Sequence, residues 1–548
     1  MASVQQVRSL FPSVEGKTQA TNKDEIALVA PLPHPLERKL RNSLGLTRTA
    51  RPIMISHLKG WYAKLTTGDP RPACPADILV GLLQCPAIFR RPAALADLLR
   101  VVATLCDEVA GEPAAVARAA LGQAGVATPL LGLLKSNPTL PTTHPGVTYW
   151  LLRTIACLCE NPATCCSFSG VADLLVEVLK GATTTTTTPS SNPAVAQGAL
   201  HAAANMTRHL PTGRAFVKAG VVAPLAALLT KSNPGLVTTN PVMATRLLTT
   251  ITNLAYYDHD ACQAFCRAGV AAPLAELLKS AQPNLATVNP LLAARLLMVL
   301  SLLTFDRPCC TALGCAGLAA PLVELLENAG PALCPEVAEP LLTAIGNLTA
   351  DDAQPETRSA FVQAGVVPPL VDLLKSIASG LPGTTSPVVF EELLGIISNL
   401  AATNAEARDA FGRAGVADSL VKLLLTTTEP TVTTAALLRT VAALTRDHPE
   451  NSRALGRAGV ALPLVRLLAR CPELPVTHPD VAHWLLRAIV NIGAVGEDAE
   501  EEEEGLEAFR PVRPLVMMTP RCRVRTAQHL GPAFMGAAWR QLREALAL

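Results

Sequence analysis

The amino-acid sequence predicts an all-α protein, a solenoid of about eight to nine three-helix repeats, and three observations support this fold class. The chain has 548 residues, more than one compact core usually holds. Two apolar phrases recur along it at a period of 44 to 50 residues. Hydrophobic residues make up 49% of the chain and aromatic residues only 3%, which is typical of closely packed helices rich in Ala, Leu and Val.

The first phrase, A-F-x-x-A-G-V-x-x-P-L-x-x-L-L, predicts a short helix, a turn and a second helix. In the copy at 215–229, Phe216 lies near the end of the short helix, and Gly220 can adopt the left-handed conformation that ends it. Pro224 suits the first turn of the next helix, and the leucines that follow form one apolar stripe. The central glycines of the eight copies are Gly125, Gly170, Gly220, Gly269, Gly317, Gly365, Gly415 and Gly459.

The second phrase, L-L-x-x-I-x-N-L, lies between successive copies of the first. Examples are LLTTITNL at 247–254 and LLTAIGNL at 341–348. The apolar content of these segments is too continuous for a surface helix, so each is predicted to be a long third helix packed between neighbours. The pattern requires no strand.

Segments rich in Pro, Thr, Asn and Ser separate the second and third helices, and predict long exposed loops. One begins at Lys135 as KSNPTLPTTHP, and another contains an uninterrupted threonine run at 183–188. Proline at several positions prevents continuation of the preceding helix. A plain solvated linker is one interpretation of the threonine run, and a modified segment is the other.

The two phrases together resemble the armadillo repeat family over residues 95–518. HEAT repeats are the near alternative, but the A-G-V-x-x-P-L signature favours armadillo. The resemblance implies a right-handed superhelical α-solenoid whose third helices line a concave groove that binds extended peptides or partner proteins. We therefore expect a partly ordered N-terminal extension at 1–75, a repeat solenoid at 76–518 and a C-terminal capping helix segment at 519–548.

The resemblance also implies a groove site on the third helices. The asparagine with which family members hydrogen-bond the backbone of a bound peptide corresponds here to Asn205, Asn253, Asn347, Asn399 and Asn491. The carboxamide can both donate to and accept from peptide groups. An asparagine that merely ties neighbouring helices together is the alternative, and the sequence does not decide between the two.

Arginine and tryptophan occupy further positions on the same predicted face. Importin-α-like members carry tryptophan four residues before the asparagine position, and this chain has none there, which argues against recognition of basic nuclear-localisation peptides. The candidates found instead are Arg100, Arg153, Arg246, Arg295, Arg439, Arg487, Trp150 and Trp484. Both residue types are enriched at binding hot spots, although the arginines could also simply extend from a packed face into water. A groove of this kind favours acidic or neutral extended segments.

Charge is unevenly distributed along the chain. The run at 497–504 carries seven acidic residues, so the formal net charge of +2 for the chain corresponds to +9 for the remainder. We interpret the run as a solvated loop, with an internal competitor for the basic groove as the alternative. The chain as a whole has no strong footprint for nucleic acid or membrane.

No catalytic, cofactor-binding or metal-binding motif is recognisable, so we expect no enzyme. The fifteen cysteines follow no disulfide framework. Cys157, Cys159, Cys165 and Cys166 could suggest zinc, but they lack histidine partners and C-x-x-C spacing. No signal peptide or transmembrane helix is expected.

Two functions remain open. The first is a non-enzymatic scaffold or adaptor that binds an extended partner segment in the groove. The second is an importin-α-like cargo adaptor, which would need a dense basic N-terminal segment that residues 1–75 lack. We expect a monomer in the cytoplasm or nucleus that binds other proteins and not nucleic acid directly.

Overall fold

The computed structural model describes residues 76–493, apart from positions 86–87, 89, 108–111, 185–192, 232–239, 282–288, 330–334, 351–352, 381–385, 428 and 472. These residues form 28 α-helices and one 3₁₀ turn, with no strand among them, which confirms the all-α solenoid. The expected extension at 1–75, the acidic run and the capping segment at 519–548 lie outside the described residues.

The nine long third helices are the elements on which the candidate groove residues lie. All of them begin at or next to a proline, except the one that starts at Val432. They are α2 (Pro92–Leu105), α6 (Pro145–Leu158), α9 (Pro193–Met206), α12 (Pro241–Tyr257), α15 (Pro290–Thr304), α18 (Pro335–Thr349), α21 (Pro387–Thr403), α24 (Val432–Thr445) and α28 (Pro479–Gly493).

The shorter helices complete the repeats. The first helices are α3 (Glu112–Gln123), α7 (Pro162–Cys166), α10 (Leu210–Lys218), α13 (His259–Arg267), α16 (Arg307–Cys315), α19 (Pro355–Gln363), α22 (Ala405–Arg413) and α25 (Pro449–Arg457). The second helices are α4 (Ala127–Ser136), α8 (Ala172–Thr184), α11 (Val222–Lys231), α14 (Ala271–Ala281), α17 (Ala319–Ala329), α20 (Val367–Ala378), α23 (Val416–Thr426) and α26 (Ala461–Arg470). Helix α1 (Ala76–Leu83) precedes them, and α5 (Leu140–Thr143) and α27 (Leu474–Thr477) are single turns before α6 and α28.

The recurring glycine ends five of the first helices in a Schellman motif, at Gly125, Gly220, Gly269, Gly365 and Gly459. Gly220 has φ +79°, its N–H donates to the carbonyl of Val217 at 3.0 Å, and the N–H of Val221 donates to the carbonyl of Phe216 at 3.1 Å. Both bonds satisfy carbonyls that the helix itself leaves unpaired. Seven of the eight predicted glycines have positive φ; the exception, Gly170, lies in the 3₁₀ turn Ser169–Val171.

The same motif buries an aromatic side chain in each of several repeats. In four copies of the phrase, a phenylalanine lies four residues before the central glycine. Its side chain is fully buried, with an exposed fraction of 0%, in all four: Phe216, Phe265, Phe361 and Phe411. The pairing of this residue with the buried apolar residue after glycine is the hydrophobic contact that accompanies a Schellman turn. The letters F and V of the phrase therefore supply core packing, and the glycine supplies the turn.

The chain divides by its internal contacts into unit 1 (Met1–Pro273) and unit 2 (Leu274–Leu548), and each is described separately. In unit 1 the third helices pack in chain order, α2 against α6, α6 against α9 and α9 against α12. In unit 2 the same order holds for α15, α18, α21, α24 and α28. Each unit therefore places a row of neighbouring third helices side by side.

Two of the segments expected to be loops contain a helical turn. Leu140 at the start of α5 and Leu474 at the start of α27 are buried, and each turn packs against the third helix that follows it. Proline at the second position of both turns is compatible with a helix start, because the missing N–H would be unpaired there anyway. The expectation of a wholly solvated connector is therefore wrong for these two repeats, and most of the other connectors lie outside the described residues.

The described helices are short relative to a membrane. No single one of them is long and apolar enough to span a bilayer. Three pairs of consecutive helices, each bent by 76° to 82°, reach that length and apolarity only when the two members are taken together.

Candidate functional site

Four of the five predicted asparagines connect their third helix to the one before it. Asn205 donates from Nδ2 to the carbonyl of Ala156 at 2.9 Å, and Asn253 to that of Ala204 at 2.9 Å. In unit 2, Asn491 donates to the carbonyl of Ala442 at 2.8 Å. All three carbonyls lie in the last turn of the preceding third helix, where no intrahelical N–H remains to pair with them. The asparagine thus acts as a C-terminal cap supplied by the next repeat.

The other two asparagines make different cross-helix bonds. Asn347 donates to Oγ1 of Thr304, the last residue of α15, at 3.0 Å. Asn399 is buried, and its Oδ1 accepts a hydrogen bond from Nη2 of Arg439 at 2.9 Å. All five predicted asparagines therefore bind a neighbouring third helix, as the structural alternative predicted, and their contact with a bound peptide stays a prediction.

These bonds lead to a stability prediction for Asn253. Replacing Asn253 by alanine removes its hydrogen bonds to the Ala204 carbonyl and to Oγ1 of Thr207, while the Ala204 carbonyl keeps the bond from the Thr207 hydroxyl at 3.2 Å. We therefore expect the free energy of unfolding to fall by about 1 kcal/mol. Thr249→Ala is the matched control, because Thr249 lies on the same helix and its hydroxyl bonds only within that helix, to the carbonyl of Thr245. Chemical denaturation followed by circular dichroism measures both. An equal effect of the two changes would contradict the capping role.

In unit 1, Trp150 has a guanidinium group from each of two successive third helices near its ring. The Cζ atom of Arg100 on α2 lies 4.9 Å from the ring centroid, and that of Arg153 on α6 lies 5.5 Å from it. Arg153 also forms an ion pair with Asp107 at 2.9 Å and a hydrogen bond with the hydroxyl of Tyr149 at 3.3 Å. The arrangement combines cation–π stacking with fixed guanidinium orientation.

Unit 2 contains a matching cluster around Trp484. The Cζ atoms of Arg439 on α24 and Arg487 on α28 lie 5.9 and 5.8 Å from its ring centroid. His483 meets the ring edge-on, as Tyr149 meets Trp150 in unit 1, with centroid separations of 4.9 and 5.2 Å. The sequence predicted the arginine on the same helix at i+3 in both clusters. Arg100 and Arg439 were candidates as well, but their contact with the tryptophan of the following third helix was not predicted.

Arg246 on α12 lies half-buried beside another cluster of polar side chains in unit 1. Burial lowers its pKa, and the positive charge of Arg153 adds to that lowering. His201 on α9 is close to both arginines, and burial, with their charges, lowers its pKa to about 3. The imidazole of His201 is therefore neutral at physiological pH. Arg295, the remaining predicted arginine, is half-buried on α15 of unit 2.

Three glutamates on the third helices of unit 2 were not identified from the sequence. Glu339 on α18 accepts a hydrogen bond from Ser386 at 2.9 Å, and Glu391 on α21 accepts one from Thr433 at 2.9 Å. The carboxylate of Glu392 packs closely against Gly346 of α18. If Gly346 carried a Cβ atom, an oxygen of Glu392 would lie only 3.0 Å from it. Burial, with the adjacent charge of Glu391, raises the pKa of Glu392 to about 7. The unit 2 face therefore carries acidic as well as basic side chains.

The glutamates had a signal in the sequence. Glu392 precedes Asn399 by seven residues, which is the offset of Arg246 from Asn253 and of Trp484 from Asn491. At that offset the sequence led us to expect only arginine or tryptophan.

The four cysteines considered as a zinc cluster from the sequence do not come together as one. Within the described part of the chain, Cys157, Cys159, Cys165 and Cys166 form no group with the geometry of a metal site, and all are free thiols. Burial raises the pKa of Cys157 to about 12 and also raises that of Cys159. A metal ligand or nucleophile must be a thiolate, so these two side chains are suited to packing.

Comparisons with known proteins identify the fold. A crystal structure of an engineered protein shares 22% sequence identity with this chain and has a TM-score of 0.60, with 86% of this chain and 99% of that one covered. A designed armadillo repeat protein in complex with the peptide (KR)4 has 21% identity and a TM-score of 0.37 over 49% of this chain and 99% of its own. Computationally designed armadillo repeat proteins for modular peptide recognition give 22% identity and a TM-score of 0.39 over 50% of this chain and 98% of theirs.

The three-helix repeat, with its glycine turn and its row of third helices, is an all-α repeat fold, and the engineered protein with a TM-score of 0.60 shares that fold. No protein-family model matches the sequence. No curated protein matches it significantly either.

Proposed function

We propose that the protein is a non-enzymatic scaffold or adaptor that binds an extended segment of a partner protein along its third helices. The observation that carries this proposal is the pair of matched clusters around Trp150 and Trp484. Each holds a half-buried tryptophan between arginines of two successive third helices. Large aromatic and guanidinium groups held rigidly on packed helices are typical anchors of protein interfaces.

The charge of these faces supports a choice of partner chemistry. Acidic or neutral segments complement the arginines of unit 1, and the glutamates on α18 and α21 extend the range in unit 2 to segments with a basic residue. Glu339, Glu391 and Glu392 lie on third helices together with the arginines, which favours protein over a phosphate backbone as the direct partner. We further propose that the protein acts as a monomer in the cytoplasm or nucleus.

A peptide-display experiment tests the proposal. Random extended peptides selected on the wild-type protein would be measured against a Trp150→Ala/Trp484→Ala double variant. We expect the double variant to bind them at least about tenfold more weakly, because truncation of a buried aromatic anchor commonly costs 2 kcal/mol or more. Phe305→Ala is the matched control, since this exposed aromatic lies at the C-terminal end of α15.

Equal binding of the selected peptides to the wild-type protein and the double variant would show that the third-helix clusters are not the binding site. The cargo-adaptor alternative makes a separate prediction, namely tight binding of an importin-β-like carrier through residues 1–75. A truncated chain without those residues would abolish that binding and would leave peptide binding by the third helices unchanged.

A further inference from the structure

The triplet Leu-Leu-Arg occurs four times in the chain, and every copy lies at one of the two tryptophan clusters. Its arginines are Arg100 and Arg153 in unit 1 and Arg439 and Arg487 in unit 2. All four guanidinium groups are placed over a tryptophan ring, with Cζ 4.9 to 5.9 Å from the ring centroid. In each cluster one triplet belongs to the helix that carries the tryptophan, and the other belongs to the third helix packed before it. The two clusters are therefore built by the same residues at the same positions.

The repeat architecture does not require arginine at this position. In the third helices α9, α12, α15, α18 and α21, which lie between the two clusters in the chain, the corresponding residues are His201, Thr249, Met298, Thr343 and Gly395. The chain has four tryptophans, and two of them, Trp150 and Trp484, are the centres of the clusters. Because the other third helices pack in a row with different side chains, packing alone does not account for the shared arginines and tryptophan.

The chain that leads into each tryptophan is repeated as well. Residues 143–153 and 477–487 differ only where Gly146, Thr148 and Tyr149 of the first correspond to Asp480, Ala482 and His483 of the second. A single helical turn leads into both segments, α5 in unit 1 and α27 in unit 2, and its first leucine is buried in both. Each turn packs against the third helix that follows it. The same local structure therefore presents both tryptophans.

In each cluster one guanidinium is fixed by a close polar neighbour and the other is not. Arg153 forms an ion pair at 2.9 Å in unit 1, and Arg439 donates a hydrogen bond at 2.9 Å in unit 2. The ion pair of Arg100 with Asp97 is long, at 3.9 Å, and Arg487 forms no ion pair with another residue that the structure describes. A guanidinium presents its N–H donors in one plane, which matches the two oxygens of a carboxylate. Arg100 and Arg487 are therefore the groups best suited to an acidic side chain.

We propose that the two clusters are two copies of one recognition site, and that each molecule of the protein binds two copies of the same short partner segment. An acidic side chain of the segment would lie on Arg100 in unit 1 and on Arg487 in unit 2. The proposal rests on the proposed function and deepens it, because it sets how many segments are bound and that they share one motif. The partner is accordingly one whose motif is present in two copies.

Separate selections on single-site variants provide one test. A library of random extended peptides would be selected on Trp484→Ala, in which only the unit 1 cluster is intact, and independently on Trp150→Ala, in which only the unit 2 cluster is intact. Peptides that bind the Trp150→Ala/Trp484→Ala double variant would be removed beforehand. We expect both selections to enrich the same motif, with an acidic residue in it.

Isothermal titration calorimetry of one enriched peptide counts the sites. We expect two peptides per molecule of the wild-type protein and one per molecule of either single tryptophan variant. Replacing the acidic residue of the peptide by its amide should weaken both binding events, because a neutral side chain loses the charge-assisted hydrogen bonds to the guanidinium.

Arginine variants keep both tryptophans in place and disturb the fold less. Arg100→Gln and Arg487→Gln should each weaken one of the two binding events by about tenfold and leave the other unchanged. Arg267→Gln is the matched control, since this exposed arginine lies on α13, and it should keep both events. Circular dichroism would establish that the helices of every variant are intact.

The outcomes separate this proposal from the proposed function. Different motifs from the two selections, or a single binding event that one tryptophan variant abolishes, would overturn the two-copy site and leave the scaffold intact. Two events of unchanged affinity in both Arg100→Gln and Arg487→Gln would overturn the assigned role of these arginines. Selections that enrich no peptide, or only peptides that also bind the double variant, would overturn the scaffold together with the two-copy site.

Discussion

Replacement of Phe411 by alanine is expected to lower the free energy of unfolding by about 3–5 kcal/mol. Phe411 lies near the end of α22 and is fully buried, with an exposed fraction of 0%. Removing its ring leaves a cavity that the surrounding helices can fill only in part. In a repeat array the loss acts first on the repeat concerned and on its neighbours, because each repeat is stabilised chiefly by adjacent contacts.

Phe305→Ala is the matched control for this change in the same unit. The Phe305 side chain is 43% exposed, so the same truncation should change the free energy of unfolding by about 0.5 kcal/mol or less. Urea denaturation would compare the two variants, and hydrogen exchange would locate the loss of protection. Similar stabilities for the two variants would show that the recurring phenylalanine is not a packing determinant of the repeat.

The variant Glu392→Gln is expected to unfold less readily than the wild-type protein at pH 8, by up to about 3 kcal/mol. The pKa of Glu392 is raised to about 7 in the folded protein, from an ordinary value of 4.5. Between these two values the folded state holds a proton that the unfolded state has released, so the free energy of unfolding falls as pH rises. The cost of the buried charge is complete above about pH 7, and glutamine removes it.

The difference between Glu392→Gln and wild type should therefore disappear below about pH 4.5, where the carboxyl is protonated in both states. Glu324→Gln is a suitable control, since this glutamate is exposed on α17 in the same unit. Its effect should be small at both pH values. Denaturation curves for the three proteins at pH 4.5, 6 and 8 measure the dependence. A difference between Glu392→Gln and wild type that does not vary with pH would contradict burial of the charged form.

The mixture of charges on unit 2 bears on the partner as well. The sequence pointed to a basic face, because arginine and tryptophan were the residue types expected of a groove. Glu339, Glu391 and Glu392 lie on α18 and α21, whereas Arg439 and Arg487 follow on α24 and α28. A partner segment seated on unit 2 would therefore gain from carrying both a basic and an acidic residue.

Features set by residues close together in the chain could be predicted from the sequence. The turn at Gly220 follows from a glycine between two helical patterns, and it has positive φ as expected. The contacts of Arg153 with Trp150 and of Arg487 with Trp484 follow from i, i+3 spacing on one helix. The same reasoning failed at Gly170, where the turn is 3₁₀, and at α5, where a proline taken to break a helix lies in the first turn of one.

Contacts between repeats could not be predicted in this way. Asn205 reaches the carbonyl of Ala156, 49 positions earlier, and Arg439 reaches Asn399, 40 positions earlier. The side chain of one third helix that faces a given residue on the next helix depends on how far the two helices are displaced along each other. That displacement depends on the packing of many side chains, and no local spacing encodes it.

The sequence by itself determined that this protein is an all-α array of three-helix repeats, because helix period, glycine turns and repeat length are properties of neighbouring residues. Only the tertiary structure decided that Asn205, Asn253 and Asn491 cap preceding helices, that Arg153 is paired with Asp107, and that Glu392 is half-buried. Hydrogen bonding, ion pairing and desolvation depend on distance and solvent access, which arise only when separate helices are brought together.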